Sequence, residues 1–351
     1  MVKMLNKKSV LLIILFSIIC FSILLFYTLN RPKTSLTYGG SDKSGFYVLS
    51  DFHKVYYISD DNYEVISETD VAGAMYMTAA QNGKVYVPVR GNLSKGGKHI
   101  DVFENGVKIK TIKLSYSLPE FAKYNPYNDK IYVNHICKIT NQSENCITVL
   151  NTSKDEEEKN IMYNYSVFDI AFTSDNIMLV SSSDIIKPDW KVDVIDLKND
   201  SKIKTIPVDV KITSMVALPD SSLLFGVSEM MQEPFIFVFD WEKGVALEKI
   251  PLEYEYPSRI NLEKIDGKYR IYAAHRNIDD NSGENISIVD PYERKVIDEI
   301  THVKCPTDIS FEKENIMVAN WKDSLVYVIN NKEVRKTINI NKPTAIVVVK
   351  E

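Results

Sequence analysis

An all-β fold of seven four-stranded blades is what this chain predicts, and three observations predict it. The first is a phrase repeated seven times: a short apolar strand ending near Asp or Asn, a polar turn, then a second strand ending in Ile or Val. The second is the spacing of the copies, about 40–50 residues, which is the blade length of a β-propeller. The third is that no stretch after residue 43 keeps a helical period for long, while short runs of β-formers alternate with polar turns.

The elements are taken in chain order. Residues 1–8 carry Lys3, Lys7 and Lys8 and read as a cytoplasmic N-terminus. Residues 9–29 are uncharged and rich in Leu, Ile and Phe. As a helix they span about 30 Å, enough for one membrane crossing with the rest of the chain outside. A cleaved signal peptide is the rival reading, but the segment ends Leu-Phe-Tyr-Thr-Leu at 25–29 rather than in small residues. Lipid attachment at Cys20 is disfavoured by the bulky Ile19 before it. Residues 30–43 contain Pro32 and the pair Gly39-Gly40 and read as a tether.

Residues 44–351 form the repeat array. The clearest copies of the phrase begin at Val192, Ile286 and Val326; looser ones begin at Val55, Ile100, Ile147 and Ile236. Each repeat divides into four strands. Channel-lining first strands are expected at 74–78, 121–124, 169–172, 214–218, 260–264 and 308–311. Apolar second strands are expected at 84–89, 130–134, 177–181, 223–227, 270–274 and 316–320. The N-terminal repeat supplies strands at 46–49, 54–58 and 64–68 but lacks a first strand. Pro-Thr-Ala-Ile at 343–346 matches Pro-Thr-Asp-Ile at 306–309, a first strand with no blade after it. The C-terminal strand is therefore expected to complete the first blade and close the ring.

Charge narrows the function. Three of the 42 basic residues and none of the 47 acidic ones lie in the first thirty, so the remainder carries a formal charge of −8. An acidic domain lacks the basic face that nucleic acid requires, and its contact with the membrane is expected through the N-terminal helix only. Of four cysteines, Cys137 and Cys146 flank a polar loop between two strands, a spacing suited to a disulfide outside the cell. Cys305 has no evident partner. The acidic run Asp155-Glu-Glu-Glu158 reads as a solvated turn. An Asn-, Lys- and Ile-rich composition points to a bacterial source.

Ile-Tyr-Val-Asn at 131–134, Ile-Met-Val-Ala-Asn at 316–320 and Val-Tyr-Val-Ile-Asn at 326–330 carry a resemblance. The chain resembles the YVTN-type seven-bladed β-propellers, akin to lactonase-like and quinoprotein dehydrogenase-like propellers. The resemblance covers about residues 44–351 and implies the fold; Leu-Leu-Phe-Gly-Val at 223–227 and Tyr-Tyr-Ile at 56–58 depart from it. No catalytic motif of those enzymes maps onto this sequence position by position.

Long links between second and third strands emerge on one face, where a rigid scaffold usually carries function. Asp51, Arg90, His135, Glu229, His275, Arg276, Asn320 and Trp321 fall at or just past the ends of second strands, and Tyr256, Arg259 and Asp308 near channel-strand entrances. Such a ring suits a polar or charged ligand over the channel mouth. The same residue types also serve to hydrogen-bond loop backbone. A lactonase-like calcium site would draw on Asp169, Asp308 and Asn320, which form no recognisable set. His135 and His275 stand three blades apart, too far for a shared metal. No phosphate loop, serine elbow or Cys–His pair is present. The expectation is a monomeric, membrane-tethered, non-enzymatic propeller without cofactor, binding a protein, peptide or wall-derived ligand outside the cell. The alternative is a lactonase-like or other hydrolase using the channel mouth.

Overall fold

The computed structural model describes residues 44–91, 96–136, 146–184, 189–229 and 234–349. The described residues form seven antiparallel four-stranded sheets. Six sheets are continuous in sequence, at 78–113, 119–162, 166–207, 214–251, 257–304 and 306–339; these are blades 2 to 7. Blade 1 contains β1 (Gly45–Ser50), β2 (Lys54–Ser59), β3 (Val65–Asp70) and the last strand, β28 (Pro343–Val348), in the order β28-β1-β2-β3. Phe46 pairs with Val348 and Val48 with Ile346. The expected membrane segment 9–29, the tether 30–43 and Cys137, with its expected bridge to Cys146, lie outside the described residues. Cys146 itself is buried at the start of its strand.

The repeated phrase has a structural reading. Its first half is the third strand of each blade and its second half the outer strand. In blades 2 to 7 the closing apolar residue of the outer strand faces the opening one of the third: Ile100 against Ile112, Ile147 against Ile161, Val192 against Ile206, Ile236 against Ile250, Ile286 against Ile300 and Val326 against Ile338. The rest of each outer strand is largely exposed, as β15 (Ser201–Pro207) illustrates: only Ile206 among its residues is buried. All seven of these hairpins contain a bulge near the turn, which adds the local twist that a blade needs. The Asp or Asn ending the third strand holds that turn by accepting backbone N–H bonds. Asp196 takes that of Lys198, Asp240 that of Lys243 and Asp290 that of Tyr292.

The core is divided among seven apolar clusters, one between each pair of neighbouring blades. Val192, Val194 and Ile206 of blade 4 pack on Leu224 and Phe237 of blade 5. Phe46 and Val48 of blade 1 pack with Met317 and Val326 of blade 7. Fully burying one such side chain contributes roughly 1.5–3 kcal/mol.

Two expectations are corrected. The acidic run is not a solvated turn. Asp155 is buried and accepts hydrogen bonds from Tyr86 (2.5 Å) and Lys84 (2.6 Å) of the neighbouring blade, and Glu156–Met162 is β11, an outer strand. The first strand expected at 74–78 is a two-residue strand, β4 (Thr78–Ala79), with one isolated bridge from Ala74 to Val89. Its partner β5 (Val85–Val89) contains Pro88, which has no N–H to give to a ladder.

Candidate functional site

Strand register sets which residues share the loop face. Pro119, Pro257 and Pro306, the first residues of three channel strands, stand opposite His135, His275 and Asn320, the last residues of their second strands. Chain arriving at the channel and chain leaving the second strand therefore meet at the same end of the ring. The residue before each of these prolines has a positive φ (Leu118, Tyr256 and Cys305), and so has Lys342 before Pro343. This left-handed step turns the chain from the outer strand into the channel.

Two residues past those prolines, one ladder pair farther in, the side chains turn toward the axis. Asp169, Ser214, Arg259 and Asp308 occupy one level of the channel. Asp169 accepts the N–H of Met215 (2.7 Å), Ser214 that of Ile260 (3.1 Å) and Asp308 that of Ile346 (3.0 Å). Each such bond runs to the next blade, so this level stitches neighbours together. Arg259 donates from Nε to Asp308 (3.1 Å) and lays its guanidinium over the ring of Tyr76, 5.0 Å from the centroid. Tyr76 belongs to blade 2 and Arg259 to blade 6, so the arginine reaches across the axis. Burial opposes its charge, yet Asp308, Tyr76 and Asp169 together raise its pKa. Lys123 pairs with Asp169 at 3.0 Å just below. Tyr76, Lys123, Asp169, Arg259 and Asp308, with Phe121, Phe168, Thr213 and Asn261, line a cavity of about 220 Å³.

Above that level the mouth holds two loose ion pairs. Arg90 lies 3.9 Å from Glu120, and Lys211 lies 3.7 Å from Glu229. Both separations exceed hydrogen-bond range. Among the described residues, Arg90 Nε has no hydrogen-bond partner although it is buried. Burial raises the pKa of Glu120, while Arg90 and Lys211 pull it back. Burial is the main reason the pKa of the Tyr76 hydroxyl is raised; Arg259 lowers it, and Glu120, Glu229 and Asp308 raise it further.

The residues expected at the site divide three ways. Arg90, Glu229, Arg259 and Asp308 converge on the channel mouth. Asp51, Arg276 and Trp321 form a second group over blades 1, 6 and 7. Lys342 and Arg276 stand 5.4 and 5.8 Å from the Trp321 ring, Phe52 lies tilted beside it at 5.7 Å, and Asp51 is 4.0 Å from Lys342. Asn320 is buried and braces that corner through Tyr327 and Asp323. His135 and His275 face inward to their own blades. Each ring bonds a backbone carbonyl of the entering segment, Ser117 or Glu255, and a hydroxyl of the third strand, Thr148 or Ser287, at 2.8–3.1 Å. Tyr116 and Tyr254 meet the two rings edge-on. Burial lowers both imidazole pKa values to about 4, so both are neutral at pH 7. Tyr76, Glu120 and Lys211 join the site without having been expected there. Glu120 had a signal: it follows Pro119 as Ser258 follows Pro257 and Thr307 follows Pro306.

Two further cavities lie elsewhere. One of about 430 Å³ opens at the far end of the channel, lined by Tyr124, Tyr127, Phe172 and Phe311. The other, of about 380 Å³, lies beside the carboxyl groups of Asp60 and Glu312 where blades 1 and 7 meet. These carboxyls are hydrogen-bonded to one another. Burial, then Asp60, raises Glu312 to about 7, whereas Asp60 is held below the ordinary range, its burial outweighed by Glu312, Ser44 and Lys313. Among the described residues no three His, Cys, Asp or Glu side chains gather as a metal site.

No family model and no curated protein matches this chain. Solved structures do match, at identities that speak to fold alone. A dihydro-heme d1 dehydrogenase, NirN, in complex with DHE is 14% identical, with a TM-score of 0.60 over 86% of this chain; the match spans 65% of the dehydrogenase, under two thirds of its length. A functionally unknown protein from Desulfotomaculum acetoxidans is 10% identical, with a TM-score of 0.67 over 87% of this chain and 98% of that one. Apo AztD from Citrobacter koseri is 12% identical, with a TM-score of 0.60 over the same shares. This chain is a seven-bladed β-propeller of the type these structures share.

Proposed function

We propose that this is a membrane-tethered binding module of the YVTN type, its propeller held outside a bacterial cell by residues 9–29 and its channel mouth receiving a ligand. The observation that carries the reading is the mouth itself. Four charged side chains in two pairs, Arg90 with Glu120 and Lys211 with Glu229, face one another without hydrogen bonds above a fixed arginine. Charges held apart on a rigid ring are preorganised for a polar partner, because little side-chain ordering remains to be done on binding. The uncharged segment and the lysines before it support the tether. A hydrolytic reading has one observation in its favour, the raised pKa of Glu120, which is the direction a general acid requires.

Orientation is tested on cells with permeable walls. Added protease is expected to release or digest the propeller while a cytoplasmic marker survives. Protection of the propeller until the membrane is lysed overturns the reading.

A further inference from the structure

We infer that the channel mouth is a receptor for a small zwitterion, a ligand carrying one carboxylate and one ammonium group, such as a free amino acid or the end of a short peptide. The inference rests on the binding role proposed above and names its ligand class.

The carboxylate half of the argument is Arg259. Its Nε is engaged by Asp308, which fixes the plane of the guanidinium, and its face lies on Tyr76. Among the described residues its two terminal nitrogens donate to no protein acceptor, and the group borders the 220 Å³ cavity. A guanidinium oriented by one carboxylate and open on its forked side is matched to a second carboxylate, which it binds through two parallel bonds. The cavity is small. At about 30 Å³ per water it holds roughly seven waters, which suits a ligand of a few heavy atoms and excludes a folded domain.

The ammonium half is Glu120 and Glu229. Neither carboxylate accepts a hydrogen bond from the described residues, and their nearest cations stand at 3.9 and 3.7 Å. Glu120 directly precedes Phe121, and Glu229 donates its backbone N–H to Thr213 Oγ1 (3.1 Å). Phe121 and Thr213 line the cavity that Arg259 borders, so the two carboxylates belong to residues at its rim. A ligand bearing only an anion would leave Glu120 and Glu229 facing it, a like-charge cost. A ligand bearing only a cation would meet Arg259 in the same way. A zwitterion satisfies both, and Phe168 and Phe121 give the cavity apolar lining.

The test is calorimetric titration of the full-length protein in detergent micelles, at low salt, with four probes: L-alanine, L-alanyl-L-alanine, its N-acetyl derivative and its C-terminal amide. Binding is expected for alanine, for the dipeptide or for both, and the stronger of the two identifies the source as free amino acid or peptide end. If the dipeptide binds, each blocked derivative should bind at least roughly tenfold less tightly, the loss expected for one charge-assisted contact. If alanine alone binds, acetylalanine and alanine amide replace those derivatives under the same criterion. Glu120→Gln should weaken the unblocked ligand by a similar factor and, by removing a like charge, leave the acetylated one bound no less tightly than to the parent, with an unaltered melting temperature as the control for folding. The blocked probes carry the test without any variant, should that one fail to fold. Acetylated probe binding as tightly as its parent would reduce the site to an anion receptor and overturn the inference. An equally tight amide would overturn it from the other side. Absence of heat with both unblocked probes at about 10 mM overturns it too. That failure is separate from a failure of the tethered, outward-facing orientation, which is decided by the protease experiment.

Discussion

At the scale of single residues, two kinds of buried titratable group pull stability in opposite pH directions. Glu312 favours its protonated form in the fold, because burial and the neighbouring Asp60 raise it to about 7. Its contribution is complete below the ordinary carboxylate range and is lost as pH rises through 7. Tyr63 and Lys313 are the other titratable groups acting on the pair, and Glu263 lines the same cavity. Solvent in the adjoining cavity screens the interaction, which leaves about 1–2 kcal/mol at stake. Glu312→Gln should therefore match the parent at pH 5 and melt higher than it at pH 8; identical melting profiles across that range would exclude the shared proton. His135 and His275 act the other way. Their folded pKa values are depressed to about 4, so their contribution is present above pH 6.5 and lost as pH falls toward 4. His135→Ala removes both ring bonds and leaves Thr148 and the Ser117 carbonyl short of a partner. The expected cost in denaturant melts is about 2–4 kcal/mol. None of this is local in sequence. His135 resembles a ligand because it ends a strand on the loop face, and its hydroxyl partner lies 13 positions away on the next strand.

At the scale of elements, the seven-fold phrase was legible because side chains alternate across a strand and because a bulge and an Asx turn recur at the same place in each hairpin. The outer strands show how far that legibility reaches. In β15, Ile203 and Ile206 look equivalent in composition, yet Ile203 is 52% exposed and Ile206 is buried against Val192. Ile206→Ala should cost about 2–5 kcal/mol in an unfolding titration, and Ile203→Ala less than about 0.5 kcal/mol. Equal effects would mean that the phrase is not in the register described. Reading failed where a partner came from another blade. Asp155 sits in an acidic run that any local pattern assigns to solvent. Only the approach of Tyr86 and Lys84, some 70 positions earlier, buries it. The contact of Arg259 with Tyr76 was illegible for the same reason, and with it half of the channel mouth.

At the scale of the whole molecule, seven clusters tie seven blades into a circle, with β28 as the strand that carries the end of the repeat array back to its beginning. Deleting residues 343–351 removes the inner strand of blade 1 and strips Ile346 and Val348 from the cluster shared with blade 7. The truncated protein is expected to lose its single cooperative melting transition and to aggregate through the bared edge of β1. A truncation that melts as sharply as the parent, at the same temperature, would show that this strand is dispensable. The arginine laid across the axis has a different consequence. It divides the bore into two vestibules, a charged one among the long loops and an aromatic one at the opposite end, and both are bounded by the same Arg259. Lys123, Asn261, Ile309 and Ser310 line both rooms with it. The hole in the middle of this ring is therefore a pair of back-to-back rooms with one shared wall, so that a substitution in that wall alters both rooms at once.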